Sequence, residues 1–290
     1  MASLYQKLKT KLYTWLTVEP PTTEMLPFDF GRLRYEVRPG DVLLIEGRSR
    51  ISRVIRSITQ SPWTHAALYI GRPSDFEDEK IRDVLLQHTE GKENVRLIIE
   101  DILDKGTIIE HLSAYRHHHI RICRPIGIAP ADIHLVINYA LKNVGQPYNV
   151  RQLVDLGRFL LPWSILPRRW GSSLFRTSTG ALDSGVCSSL LAEAFSSVQF
   201  PILPFVKSDA ETGVEVFQRN PYLFTPKDFD FSPYFNIIKY PIFNPEEPLP
   251  YYRRLPWTKS GFLHQDNGIL SLPKKKKVKK EKDVPPKEEP

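Results

Sequence analysis

One cysteine stands where a nucleophilic thiol would be expected. Cys187 follows the small, turn-forming residues of Asp183-Ser-Gly-Val186. Apolar residues at helical spacing come directly after it: Leu190, Leu191, Ala194 and Phe195. The pattern predicts that a helix begins at the cysteine. Amide N–H groups and the macrodipole at a helix N-terminus favour a thiolate, and the same amides can bind the oxyanion formed when an acyl carbon is attacked. The sequence therefore indicates acyl chemistry at Cys187.

The best candidate for a base lies far upstream, at His65. This histidine ends Ser61-Pro-Trp-Thr-His65 and is followed by the apolar run Ala66–Ile70. Pro62 breaks the preceding helical pattern, so His65 is expected at the start of a strand beside a loop. A histidine in that position is more often structural than catalytic. Together, however, the two residues suggest a Cys–His hydrolase or acyltransferase in which the histidine precedes the cysteine.

Short apolar runs, separated by glycine and proline, predict the elements that would position these residues. The predicted strands are Gly40–Gly47, His65–Ile70, Val95–Glu100, Gly106–Glu110 and His118–Pro125, and the predicted helices are Arg48–Thr59 and Asp132–Val144, the second capped by Gly145. The runs from Val95 onward are typical of an antiparallel meander. Cys123 lies in the last of them and is expected to be a core thiol.

The run His117-His-His119 suggests a metal site, but the predicted geometry argues against one. Adjacent residues of a strand point to opposite faces, so three histidines in a row do not converge on one ion. No Cys or His partner stands at a zinc-like spacing. The sequence therefore predicts neither a metal nor another cofactor.

Segments of different composition flank and interrupt the predicted body. The expected regions are an amphipathic N-terminal helix with its linker (1–24), the main domain (25–240) with an apolar insertion (150–182), an extended arm rich in Pro and aromatic residues (241–272), and a disordered Lys-rich tail (273–290). The helix is expected either to dock on the body or to lie on a membrane surface. The insertion is interpreted as a flap, a membrane-facing patch or a packed addition. The tail resembles a nuclear-import signal, a tether to anionic lipid or nucleic acid, or a solubilising extension.

Charge and cysteine content narrow the class of protein. The net charge is +7, and residues 274–290 hold eight lysines against four acidic residues, which is +4 of that total. The remaining +3 is too little for a strongly basic face, so no specific nucleic acid is expected. Two cysteines suit a reducing compartment better than a disulfide framework. No apolar run reaches the roughly 18 residues of a membrane span, and no secretory signal is apparent. A cytoplasmic protein is expected, with an anionic membrane surface as a peripheral partner.

The order of several short motifs resembles one enzyme family. The motifs are Gly40-Asp41, Ser61-Pro-Trp-Thr-His65, Leu97-Ile-Ile-Glu100, Gly145-Gln-Pro-Tyr148, Cys187-Ser-Ser-Leu-Leu-Ala-Glu193 and Thr225-Pro-Lys-Asp228. In this order they resemble the permuted branch of the NlpC-type papain-like cysteine hydrolases, especially the YiiX/YaeF-like amidases. The lecithin:retinol acyltransferase relatives are more distant. The resemblance implies an α+β fold, with an antiparallel sheet packed against helices and the cysteine at a helix N-terminus.

The resemblance also implies a role for each site residue. Cys187 would be the nucleophile, His65 the base and Glu100 the carboxylate that orients the imidazole, with Glu110 as the alternative to Glu100. Tyr148 would bind substrate. The implied reaction is thiol hydrolysis of an acyl-amide or acyl-ester bond, in a peptide or a lipid, through a thioester acyl-enzyme.

Two other functions remain open from the sequence. A lipid acyltransferase or phospholipase would use the same permuted order, and the amphipathic helix, apolar insertion and basic tail would suit it. Those relatives usually have a second histidine where this chain has Glu100, and Asn-Cys-Glu-His where it has Val186-Cys-Ser-Ser189. A non-catalytic adaptor, tethered to membrane or nucleic acid, is the third possibility.

Overall fold

The computed structural model describes residues 15, 17–20, 29–102, 105–146, 187–209, 213–240, 261–264 and 268–271. Tyr148, the insertion at 150–182, the tail at 273–290 and most of the N-terminal helix lie outside the described residues. The chain divides into two units, Met1–Ile242 and Phe243–Pro290. All of the candidate site residues fall in the first unit.

The first unit is built around a six-stranded antiparallel sheet. The described strands are β1 (Val42–Glu46), β2 (His65–Gly71), β3 (Leu97–Ile102), β4 (Gly106–His111), β5 (His119–Pro125), β6 (Phe205–Asp209), β7 (Gly213–Phe217), β8 (Phe235–Ile238), β9 (Gly261–His264) and β10 (Gly268–Ser271). The sheet has the order β4-β3-β2-β1-β5-β8, and β6 and β7 form a separate hairpin. In the second unit, β9 and β10 also form a hairpin.

The described helices pack against the sheet. They are α1 (Phe30–Glu36), α2 (Arg50–Thr59), α3 (Glu79–Gln87), α4 (Pro130–Lys142), α5 (Cys187–Ser197) and α6 (Pro226–Phe231). α5 packs against α4 and against β2 and β3, while α6 packs against β1 and β8. The described helices include none that is both long and apolar enough to cross a membrane. This arrangement is the α+β architecture expected from the resemblance, with Cys187 as the first residue of a helix on the sheet.

Strict alternation along the strands separates two hydrophobic cores. Leu68 of β2 lies opposite Ile99 of β3, and both contribute to a core that also contains the α5 residues Leu191 and Phe195. The neighbouring residues of these strands point the other way, where a second core forms around Leu33 of α1. Full burial of one such side chain contributes about 1.5–3 kcal/mol to stability. A one-residue slip in register would exchange the two faces, so burial on both sides fixes the register.

A buried ion pair fixes the start of β1. Asp41 is almost fully buried, and its carboxylate accepts hydrogen bonds from Arg124 Nε at 2.9 Å and Arg124 Nη2 at 2.8 Å. Gly40 precedes it with φ +90°, and a Cβ there would lie 2.9 Å from Ile133. Glycine is required at this turn both for its backbone conformation and for the close approach of α4. The Gly40-Asp41 motif therefore has a structural role.

Candidate active site

His65 is the first residue of β2, and the turn before it is held by hydrogen bonds to the end of β1. The Thr64 amide donates to the Ile45 carbonyl at 3.1 Å, and the Thr64 hydroxyl accepts from the Gly47 amide at 2.9 Å. A Cβ at Gly47 would lie 2.4 Å from the Ser52 hydroxyl, so only glycine fits where these segments meet. The His65 side chain is 19% exposed. The imidazole is thus held at the start of β2 with partial access to solvent.

Glu100 contacts this imidazole from the neighbouring strand. It lies in β3 directly opposite Ala67, which is two residues beyond His65 on the same face of β2. Such diagonal neighbours are within reach of long side chains, and the small Ala67 leaves room between them. His65 Nε2 and Glu100 Oε2 are 2.5 Å apart, and the glutamate is fully buried. The structure therefore brings two of the predicted site residues together.

The contact indicates which imidazole nitrogen carries the proton. An ionised carboxylate only accepts hydrogen bonds, so Nε2 carries the proton and Nδ1 is the basic nitrogen. A carboxylate in this position also stabilises the imidazolium form. Glu110, the alternative third residue, lies in β4 opposite Ile98, and its Oε1 accepts from the His111 amide at 2.7 Å. Of the two glutamates, Glu100 is the one at the imidazole.

Tyr115 is a further member of the site that the sequence interpretation missed. It ends the 3₁₀ turn Leu112–Tyr115, which follows β4 directly. Its hydroxyl donates to Glu100 Oε2 at 2.5 Å, the same oxygen that contacts His65. The Tyr115 and His65 rings lie with their centroids 6.0 Å apart. No local motif marks this tyrosine; the only available signal was an aromatic residue with a polar group just after the strand that pairs with β3.

Cys187 begins α5, and contacts near this helix start connect it to the loop that carries His65. The Ser188 hydroxyl donates to the Phe224 carbonyl at 2.7 Å, just before α6. From α6, Lys227 Nζ donates to the Thr59 carbonyl at 2.8 Å. The helix start and the His65 loop are therefore linked through α6. The side chain of Cys187 lies outside the described part of the structure, as does Tyr148.

Asp101 occupies the face of β3 that points toward α5. Successive strand residues point to opposite faces, so Asp101 and its neighbour Glu100 diverge. Asp101 is buried, and its Oδ1 accepts no hydrogen bond from any described residue. Burial raises the pKa of Asp101 to about 7; the charge of His65 opposes that shift and the charge of Glu193 adds to it. Burial thus favours the protonated form of this carboxyl group.

A cluster of three side chains, Arg121, Trp63 and Asp230, restrains the loop before His65. Arg121 Nη1 contacts the two carboxylate oxygens of Asp230 at 2.6 and 2.8 Å, and its guanidinium lies 4.6 Å from the centre of the Trp63 ring. The indole Nε1 of Trp63 donates to the same carboxylate at 3.2 Å. Because Trp63 is two residues before His65, this cluster restrains the loop that positions His65.

The consecutive histidines diverge in the structure. His118 Nε2 contacts Glu19 Oε2 at 2.6 Å, whereas His119 Nδ1 contacts Glu46 Oε2 at 2.9 Å. Within the described ranges, no group of three or more His, Cys, Asp or Glu side chains is arranged to hold a metal ion. These histidines instead hold Glu19 and Glu46 against the sheet.

Comparison with known proteins identifies one family model. Residues 36–155 match the permuted papain-like amidase enzymes of the YaeF/YiiX, C92 family. The match confirms the resemblance predicted from the motifs over this part of the chain, which contains His65, Glu100 and Tyr115. No curated protein matches the chain. A crystal structure of the metalloprotein yiiX from Escherichia coli O157:H7 aligns at 12% sequence identity and a TM-score of 0.42, over 70% of this chain and 97% of that one.

Proposed function

We propose that this protein is a cysteine hydrolase that cleaves acyl-amide bonds, with Cys187 as nucleophile, His65 as base and Glu100 as the orienting carboxylate. The observation that carries the proposal is the 2.5 Å contact between His65 Nε2 and the buried Glu100 Oε2. Both residues lie in the stretch that matches the amidase family. The helix that begins with Cys187 packs on the two strands that hold them.

The reaction follows from the roles of these groups. His65 Nδ1 takes the thiol proton of Cys187, and the thiolate attacks the carbonyl carbon of the amide. The negative charge that develops on the carbonyl oxygen is stabilised by amide N–H groups at the start of α5. The imidazolium then gives its proton to the leaving amine, which departs and leaves a thioester on Cys187. A water molecule, deprotonated by the same nitrogen, attacks the thioester and releases the carboxylic acid and the thiol.

The sheet imposes one geometric requirement on this mechanism. His65 and Glu100 project from the face of the sheet opposite to the face that α5 covers, because they alternate with the core residues Ala66 and Ile99. As the first residue of β2, His65 stands at the end of the strand rather than within it. To accept the thiol proton of Cys187, the imidazole extends past the start of β2. At this point α6 links the beginning of α5 to the loop before His65.

Thiol alkylation tests the proposed catalytic pair without knowledge of the substrate. The rate at which iodoacetamide modifies Cys187, followed by peptide mass spectrometry, should extend to acidic pH in the wild type. It should lose that acidic component in His65→Ala, because a thiolate paired with an imidazolium persists below the usual thiol pKa. Cys123 is the internal control: it is fully buried, and burial raises the pKa of its thiol. A wild-type pH profile identical to that of His65→Ala would contradict the proposal and favour a non-catalytic adaptor.

We further propose peripheral attachment to anionic membranes through residues 1–18 and 273–290. Trp15 supports this, because the residue is 56% exposed. An exposed tryptophan in a segment that also carries Lys7, Lys9 and Lys11 is typical of an interfacial helix. The lysines of the tail would add electrostatic attraction. In flotation with vesicles containing phosphatidylserine, the full chain should rise with the lipid and residues 19–272 should remain in the dense fraction. Equal flotation of both would contradict this role.

A further inference from the structure

We propose that Tyr115 is a positioning residue of the active site, and that its hydroxyl keeps the Glu100 carboxylate ionised and directed at His65. The inference rests on the proposed function, because it concerns the carboxylate that would orient the catalytic imidazole. Nothing in the motifs of the chain or in the family match assigns a role to this tyrosine.

The arrangement around Glu100 makes its charge depend on few donors. Its carboxylate is fully buried, and Oε2 contacts two groups, His65 Nε2 and the Tyr115 hydroxyl, each at 2.5 Å. Oε1 is buried and accepts no hydrogen bond from the described residues. A buried carboxylate is stable as an anion only if donors compensate for its lost hydration. Among the described residues, the phenol is the one donor to Glu100 that does not itself change charge during the proposed reaction.

The surroundings of the carboxylate show why the phenol determines whether the shared proton lies on His65 or on Glu100. Across the sheet, Glu100 is flanked by the apolar residues Ala67 and Ile108. Among the described residues, the ionisable groups that contact its carboxylate are His65 from β2 and Tyr115 from the 3₁₀ turn. Asp101, the next residue of β3, points to the opposite face. When His65 becomes an imidazolium, its Nε2 proton lies beside Oε2. A hydrogen bond from the phenol lowers the basicity of that oxygen, so the proton stays on the imidazole.

Packing holds the phenol at this carboxylate. The Tyr115 ring meets the His118 ring edge-on at a centroid distance of 5.2 Å. The His118 amide donates to the Tyr115 carbonyl at 2.9 Å, which closes the turn. Leu112, at the other end of the same turn, is buried in the core. Because turn and ring are both held, the hydroxyl is directed at Glu100 and does not have to be ordered during the reaction.

The test is Tyr115→Phe, with Tyr240→Phe as the matched control. Tyr240 is buried on the same face of the sheet, but its hydroxyl donates to the Ile120 backbone carbonyl. Infrared difference spectra across a pH titration report the band of the protonated Glu100 carboxyl, assigned by its loss in Glu100→Gln. Removing a hydrogen bond to a charged group should make this band appear at a pH about one to two units higher. Tyr240→Phe should leave it in place.

A second readout is the His65-dependent alkylation of Cys187. In Tyr115→Phe, the pH range in which Cys187 is alkylated should end closer to neutral pH than in the wild type. At the acidic end of the wild-type range, the alkylation rate should fall about tenfold to a hundredfold. If that variant does not fold, 3-fluorotyrosine at position 115 keeps the shape of the side chain and makes the phenol a stronger donor. The Glu100 band should then move to lower pH.

The two readouts separate the inference from the proposed function. A Glu100 band at the same pH in the wild type, Tyr115→Phe and the 3-fluorotyrosine protein would overturn the positioning role, whatever the alkylation result. If the band moves as expected but the wild-type alkylation does not depend on His65, Tyr115 supports Glu100 as stated and the catalytic proposal fails instead.

Discussion

Replacing Asp101 with asparagine should change how the stability of this protein depends on pH. Asp101 is buried between β3 and α5, and its Oδ1 accepts no hydrogen bond from a described group. Burial raises the pKa of its carboxyl from 3.8 to about 7, with His65 opposing and Glu193 adding to the shift. Asparagine is similar in shape and cannot take up a proton, so it isolates the cost of ionising this side chain.

The sign and size of the effect follow from that shift. Between about pH 4 and pH 7 the folded protein holds a proton at Asp101 that the unfolded chain has lost, so the wild type loses stability as the pH rises. A difference of about three pKa units corresponds to about 4 kcal/mol, which is an upper value for this buried group. Below about pH 4 and above about pH 7 the contribution is constant. Relative to Asp101→Asn, the wild type should therefore lose up to about 4 kcal/mol between pH 4 and pH 8.

Urea unfolding at several pH values measures this difference. The comparison uses the change in the wild-type-minus-variant free energy with pH, which cancels any constant cost of burying the asparagine amide. Asp83→Asn, at an exposed aspartate of α3, is the matched control and should give a nearly constant difference. If the curves of the wild type and Asp101→Asn remain parallel from pH 4 to pH 8, the buried-carboxyl explanation is wrong.

Two further predictions concern charges that hold the sheet. Although burial opposes it, hydrogen bonds led by that from His118 lower the pKa of Glu19 to about 2. Stability from this group is present above about pH 4.5 and is lost toward pH 2. In Glu19→Gln the melting temperature should therefore depend less on pH across that window. A pH dependence equal to that of the wild type would contradict this. Arg124→Met should lower the free energy of urea unfolding by about 3–5 kcal/mol, because it leaves the Asp41 carboxylate buried without its partner; a loss no larger than that of the exposed Arg34→Met would argue against this.

The sequence was informative where the physical signal is local. Short apolar runs located the strand that begins at His65 and the one that contains Glu100. Small residues before an apolar helical pattern correctly indicated a helix beginning at Cys187. Boundaries were less accurate. The strand predicted to end at Glu100 runs on to Ile102, which makes Glu100 an interior residue. The helix expected to extend to Val144 ends at Lys142, and Asn143 is its C-cap instead of Gly145.

The remaining features depend on pairing between distant segments. Nothing near Tyr115 in the sequence indicates that its hydroxyl meets Glu100, because that contact exists only after β3 and β4 align and the turn following β4 folds back. The sequence could not decide between Glu100 and Glu110 for the same reason. Each ends a similar Ile-Ile-Glu run, and only the pairing of β3 with β2 places Glu100 near His65. No strand was predicted after α5, but this stretch contains the β6–β7 hairpin.

That hairpin has a practical consequence. All five residues of β7 are exposed, and neither of the two described cores contains a side chain from β6 or β7. An isolated two-stranded ribbon is only marginally stable in water, so the rest of the first unit gains little from it. The connection between Asp209 and Gly213 is consequently a suitable place to graft an epitope or a fluorescent reporter, since the added chain would leave the six-stranded sheet and α5 undisturbed.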